Sequence, residues 1–181
     1  TVTGMLAASG QQFMDWSSAY RLFSRQRVDT SKLFEVARGG VLQELESQQM
    51  MVAHMDDTLL KKTGRHIPGT AWRRDPLGPP FQTNFIWGQR FLQISMALPD
   101  HQGCSQSRAI PIDFHHCPTA KKPRQKADEQ EWENYKEQQL KLKLSKQGSD
   151  RLKELRNALD KQGVSEKQLI VSVDGSYTNE E

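Results

Sequence analysis

Two stretches decide how this chain folds: MMVAHMDD at 50–57 and QLIVSVD at 168–174. Both are apolar runs of strand length, and each closes on aspartate. The second is rich in β-branched residues and reads as a strand buried on both faces. Between them lie two more extended stretches, FIWGQRFLQISMAL at 85–98 and RAIPIDFHH at 108–116, and then a polar helical region over 124–162. The order is strand, strand, strand, helix, strand. Hairpin connections make the first three strands antiparallel, and a helix supplies the crossover that a parallel fourth strand requires. The expected class is α/β, with one mixed sheet in which 168–174 lies beside and parallel to 50–57.

That placement has a chemical meaning. Parallel neighbours end at the same sheet edge, so Asp57 and Asp174 emerge together. Mg²⁺ is commonly held by one or two carboxylates together with substrate phosphate oxygens. Paired ions about 3.5–4 Å apart activate a hydroxyl and stabilise a leaving oxygen. Each aspartate taken alone is usually a turn or cap residue, so the pairing is what carries the signal. By strand alternation Asp57 shares a face with Ala53 and Met55, whereas Asp56 points the other way and is the weaker candidate ligand.

Working outward, KKTGRHIPGTAWRRDPLGPPFQ at 61–82 is punctuated by glycine and proline and reads as a loop or irregular hairpin. PDHQGCSQS at 99–107 reads as a long hairpin connection, and Pro111 suits an edge or a bulge. Asp113 has the alternation parity of Pro111 and His115 and is expected among polar surroundings. In the helical region Trp132, Tyr135 and Leu142 recur at heptad-like spacing. Gly148, Ser149 and Asp150 are expected to break it. A second helix carrying Leu152, Leu155 and Leu159 then follows and stops at Gly163.

At the other end, Phe13, Trp16, Tyr20 and Phe23 fall on one face of a helix near 11–25, which is expected to be a packing face. Asp29 and Thr30 open a second helix with Leu33, Phe34, Ala37, Val41, Leu42 and Leu45. Gly39–Gly40 weakens it by about 1 kcal/mol per glycine relative to alanine and predicts a kink. The reading divides the chain into an N-terminal helical segment, 1–48, and a sheet-forming part, 49–181.

Composition narrows the functional classes. The chain has 181 residues, with 25 Lys and Arg against 22 Asp and Glu for a net charge of +3, so one domain with an appendage is expected. No apolar run approaches the ~18 residues of a membrane span. Two cysteines, Cys104 and Cys117, are too few for a disulfide scaffold, and with no signal segment at the N-terminus a reducing, cytoplasmic setting is expected. His115, His116 and Cys117 invite zinc but lack a matching fourth ligand. Residues 121–156 hold 11 Lys and Arg against 7 Asp and Glu, a basic stripe that either tracks phosphates or is a solvated helix face. Lys61, Lys62, Arg65, Arg73 and Arg74 cluster after the first aspartate, as phosphate contacts or as loop charges.

The runs MDDTLLKKTGRHIPG, RRDPLGPPFQTNFIWGQRFLQISMALP and LIVSVDGSYTN resemble the catalytic core of DDE transposases from bacterial insertion sequences, of the cut-and-paste class. The similarity covers residues 50–179. It implies an RNase H-like fold, Asp57 and Asp174 as catalytic, metal-binding acids, and Mg²⁺ or Mn²⁺ as cofactor. It also implies DNA as partner, both transposon ends and target, with Lys61, Lys62, Arg65, Arg73 and Arg74 as DNA contacts. Further implications are a homo-oligomer in the active complex and a bacterial, nucleoid-associated location. The family uses a third acid, a glutamate on a downstream helix; Glu180 and Glu181 follow Asp174 too closely to supply it, so the chain is expected to be a fragment, truncated before that residue. Two other readings remain open: a non-catalytic nucleic-acid-binding module built on the basic segment, and an RNase H-like nuclease without strand transfer.

Overall fold

The structure, a computed structural model, describes residues 2–25, 27–45, 50–79, 81–99 and 107–177. Its contacts divide the chain between Val36 and Ala37, inside a helix rather than at a loop.

In the first unit, α1 (Val2–Ala8) and α2 (Ser17–Ser24) are short helices. The single helix expected over 11–25 is not formed, because α2 begins only at Ser17. Trp16 Nε1 instead donates to the Gln11 carbonyl at 2.8 Å, fixing the turn ahead of α2. Of the four aromatics expected on a packing face, Phe13 is 94% exposed and Tyr20 46% exposed, its hydroxyl paired with that of Thr3, whereas Trp16 is half-buried. The Phe23 side chain lies outside the described residues. The next helix, α3 (Thr30–Glu44), runs unbroken through Gly39–Gly40. Its C-terminal half belongs to the second unit, where Val41 and Leu45 are buried.

The second unit is built on a mixed sheet. Its strands are β1 (Met50–Lys61), β2 (Ala71–Arg74), β3 (Phe85–Pro99), β4 (Ser107–His116) and β5 (Gln168–Val173). Strand β3 is long enough to pair with β1 along one edge and with both β2 and β4 along the other, all antiparallel. On the far side of β1, β5 pairs in parallel from Met50↔Gln168 to Met55↔Val173. The strand pairing expected from the sequence is present, and β2 adds to it: within the stretch read as a loop or irregular hairpin at 61–82 it forms a short antiparallel ladder with the start of β3. The connection at 100–106 lies outside the described residues.

Alternation along β1 sends Met51, Ala53 and Met55 inward and leaves His54 and Asp56 exposed. On the inner face they meet Leu92, Ile94 and Met96 of β3, and Leu155 and Leu159 of the crossover helix α5 (Leu144–Lys161) complete the core. The shorter α4 (Glu129–Lys141) precedes it, capped by Asp128, whose carboxylate accepts the Glu131 N–H at 2.7 Å. Three expectations are corrected here. The break between the two helices falls at Leu142–Lys143, and α5 passes through Gly148 without interruption. Strand β5 is not buried on both faces: Leu169, Val171 and Val173 turn toward the core, whereas Ile170 is 42% exposed. The third correction comes from a bulge. β3 pairs Ile94 with Asp113 but Ser95 with Pro111, so Ile112 is an extra residue in β4 and the alternation resets there. Asp113 consequently lies on the inner face. It is 7% exposed and gripped by Arg151 of α5 through two bonds, Nε to Oδ2 at 2.8 Å and Nη2 to Oδ1 at 2.6 Å. Among the described residues no helix is long and apolar enough to cross a membrane.

Candidate functional site

Asp57 sits within β1, because the strand continues to Lys61 instead of ending at the aspartate. It is on the inner face, as the alternation with Ala53 and Met55 predicts, just past the part of that face covered by core residues. Two groups hold its carboxylate. The Tyr177 hydroxyl donates to Oδ1 at 2.8 Å, and Arg90 Nε approaches Oδ2 at 3.2 Å as an ion pair without hydrogen-bond alignment. Arg90 is on this face because it alternates with Leu92 and Ile94 along β3. Asp56, by contrast, is exposed and accepts the Asp57 backbone N–H at 2.8 Å.

Asp174 follows the last residue of β5 and is exposed. Its Oδ1 accepts the Gly175 N–H at 2.6 Å, and its carbonyl accepts the Tyr177 N–H at 3.0 Å, which winds Gly175–Tyr177 into one 3₁₀ turn. The backbone register places Asp174 level with Asp56 and one residue short of Asp57. The two candidate acids are thus neighbours in register across the β1–β5 pair, with Asp174 on the alternation parity of Asp56, and Tyr177 is the physical link to Asp57, since the turn that Asp174 organises aims the phenol at its carboxylate. Burial first, and then the Asp57 carboxylate, push the Tyr177 hydroxyl well above the ordinary tyrosine value, so it is a donor at any physiological pH.

Gly148 makes that link possible. A Cβ at this buried position of α5 would lie 3.1 Å from Met55 Cε and 3.3 Å from Tyr177 Cδ1. Gly148→Ala is expected to forfeit the ~1 kcal/mol that alanine otherwise gains in a helix interior, because Met55 Cε and the Tyr177 ring must each give way by a few tenths of an ångström. Urea unfolding measures the sum; an alanine variant more stable than the parent would show that the ring is not held against the helix.

The five basic residues expected near the first aspartate do not form one group. Lys61, Lys62 and Arg65 line an open groove of about 680 Å³ together with Trp72, Phe85 and Trp87. Trp72 is 67% exposed and its ring centroid is 5.7 Å from that of Trp87. Arg74 is exposed. Arg73 alternates to the opposite face of β2 from Trp72, is only 7% exposed, and donates from Nη2 to the Cys117 carbonyl at 3.2 Å. It lines a second cleft of about 330 Å³ with Arg90, Cys117 and the first residues of α5. Sequence reasoning did not single out Arg90. The signal was present, because the strand alternation that buries Leu92 and Ile94 also places Arg90 on the Asp57 face.

No group of three His, Cys, Asp or Glu gathers among the described residues. His115 is held below the ordinary histidine value by burial and by Arg151 beside it. Burial pushes the Cys117 thiol up to about 11. No protein-family model matches the chain, and neither a curated protein nor a solved structure matches it significantly.

Proposed function

We propose that the chain provides the metal-dependent, phosphodiester-cleaving core of a DNA transposase of the DDE type, with an RNase H-like arrangement of its sheet. Three antiparallel strands followed by a helix and a strand parallel to the first are compatible with that arrangement. The observation that carries the reading is the junction of β1 and β5, where Asp57 is held by a tyrosine from the turn that Asp174 starts.

The donor chemistry suits Mg²⁺ or Mn²⁺ in part. Asp57 and Asp174 are hard oxygen donors of the kind that hold Mg²⁺ with substrate phosphate oxygens, and the resemblance assigns a further acid downstream to complete the set. When bound, the cation would activate the attacking hydroxyl and stabilise the leaving oxygen. The chain's own residues do the rest. Tyr177 fixes the Asp57 carboxylate from one side, and Arg90 offsets its charge from the other. Lys61, Lys62 and Arg65 offer positive charge to DNA phosphates beside exposed aromatic rings. Transposon ends and target DNA are the partners of this reading, in a homo-oligomeric complex on the bacterial nucleoid.

The test is metal-dependent nicking, by the protein, of duplexes that end in the element's terminal sequence. Cleavage with Mg²⁺ or Mn²⁺, abolished by chelation, is the expected result. Unchanged cleavage under chelation would sink the metal-site assignment.

A further inference from the structure

We propose that the cleft between Arg73, Arg90 and the first turn of α5 is a binding site for a phosphate-class oxyanion.

Three independent features converge there. The first is uncompensated charge. Arg73 and Arg90 share one face of adjacent strands, and the carboxylate nearest them is Asp57, engaged by Arg90 and Tyr177. Cys117 between them is a neutral thiol, so two guanidinium groups face one carboxylate. A charge withdrawn from water without a partner is costly, and a bound anion removes that cost. The second is unused bonding capacity. Arg73 is 93% buried by its 7% exposure, lines the cleft, and gives one N–H to the Cys117 carbonyl, while its buried Nε has no partner. A guanidinium presents five N–H donors in a planar fork suited to phosphate.

The third feature is α5 itself. This 18-residue helix starts on the same cleft through Lys143, Leu144 and Gln147, with no side-chain cap and no acidic residue in its first turn. The contrast with α4 is direct, since that helix has Asp128 as its cap and Glu129 and Glu131 behind it. With no acidic residue in its first turn, this helix start turns the positive end of its macrodipole to the cleft, which favours phosphate. The cleft volume of about 330 Å³ accommodates a phosphate with room for the chain it is esterified to. The source of that phosphate rests on the nucleic-acid reading above, under which it is a backbone phosphate of the strand running past Asp57. The site itself does not depend on that reading.

Isothermal titration of the 181-residue chain with inorganic phosphate, and separately with a short single-stranded oligonucleotide, at constant ionic strength and without divalent metal, tests the proposal. Phosphate should bind to the parent protein. Arg73→Met should weaken it about tenfold or more, as expected for losing bonds to a charged group. Without anion the same variant should melt no lower than the parent, because it removes an uncompensated buried charge. Lys143→Glu, at an exposed position on the rim, puts a carboxylate at the helix start and should weaken phosphate binding in a chain whose core is untouched. Lys153→Glu, the same charge change at an exposed position farther along α5 that does not line the cleft, should leave it nearly unchanged. Oligonucleotide binding that competes with phosphate assigns the anion to a nucleic-acid backbone; phosphate binding without such competition supports the site and counts against the transposase reading. Absence of phosphate binding, or binding equally weakened by Lys143→Glu and Lys153→Glu, overturns the site whatever the cleavage assay returns.

Discussion

Asp57→Asn should abolish metal-dependent strand cleavage, with a loss larger than the ~10–100-fold that follows removal of a group merely orienting a metal ligand. The amide keeps the shape of the side chain and can still accept from Tyr177, but it removes the negative charge that a divalent cation and Arg90 both require. Asp174→Asn should fall as far. Asp56→Asn should be milder, because Asp56 is exposed on the other side of β1 and its carboxylate is engaged by the Asp57 backbone N–H. Tyr177→Phe should lie between, acting by releasing the Asp57 carboxylate. The measurement is single-turnover cleavage at saturating Mg²⁺, with a melting curve for each variant, since Asp57→Asn leaves Arg73 and Arg90 without a counter-charge and should itself lower stability. A folded Asp57→Asn protein with full activity would refute the assignment. A dead Asp56→Asn beside an active Asp57→Asn would transfer the role to the exposed carboxylate.

Arg151→Leu should cost the fold about 3–5 kcal/mol, the usual penalty for breaking a buried ion pair by removing one partner. Asp113 has little water to turn to, and both its oxygens depend on Arg151. The pair also bolts α5 to the bulged part of β4, so its loss loosens the helix that carries Leu155, Leu159 and Gly148. Replacing both partners, Asp113→Leu with Arg151→Leu, should recover much of the loss, because two apolar side chains leave no charge behind. Denaturant unfolding of the two single variants and the double variant gives the coupling directly. A single-variant cost below about 1 kcal/mol, the range of an exposed pair, would show that water reaches Asp113 freely.

The sheet was legible in the sequence for a physical reason. Residues such as Met51, Ala53 and Met55 must alternate with solvent-facing neighbours, and a parallel β1–β5 pair has to be joined by a crossover. That logic also put Asp57, rather than Asp56, on the inner face. It failed where a local signal met a tertiary constraint. Gly148 looked like a helix breaker, but it sits inside α5 where Met55 and Tyr177 pack tightly against the position a Cβ would take. Asp113 was grouped with Pro111 and His115 by counting alternate residues; the extra residue Ile112 separates it from Pro111, while it keeps the face of His115 and finds its polar surroundings in Arg151. Phe13 and Trp16 fit a helical stripe, but the bond from Trp16 to the Gln11 carbonyl belongs to a turn that starts the helix later. Arg73 and Arg74 are indistinguishable as a dipeptide. Only the pairing of β2 with β3, a strand hidden in a Gly- and Pro-rich loop, separates the buried arginine from the exposed one.

The buried thiol at the mouth of the arginine cleft turns this protein into its own probe. Cys117 is 1% exposed, its proton is held to about pH 11 by burial, and its backbone N–H is tied to the Arg90 carbonyl at 2.8 Å. An alkylating reagent therefore meets neither an accessible sulfur nor a thiolate until the end of β4 parts from β3. In a chain with Cys104→Ser, leaving one thiol, the labelling rate at neutral pH should report how often that parting happens. An anion seated between Arg73 and Arg90 should slow it, so a mass spectrometer could follow occupancy of the cleft without any nuclease assay.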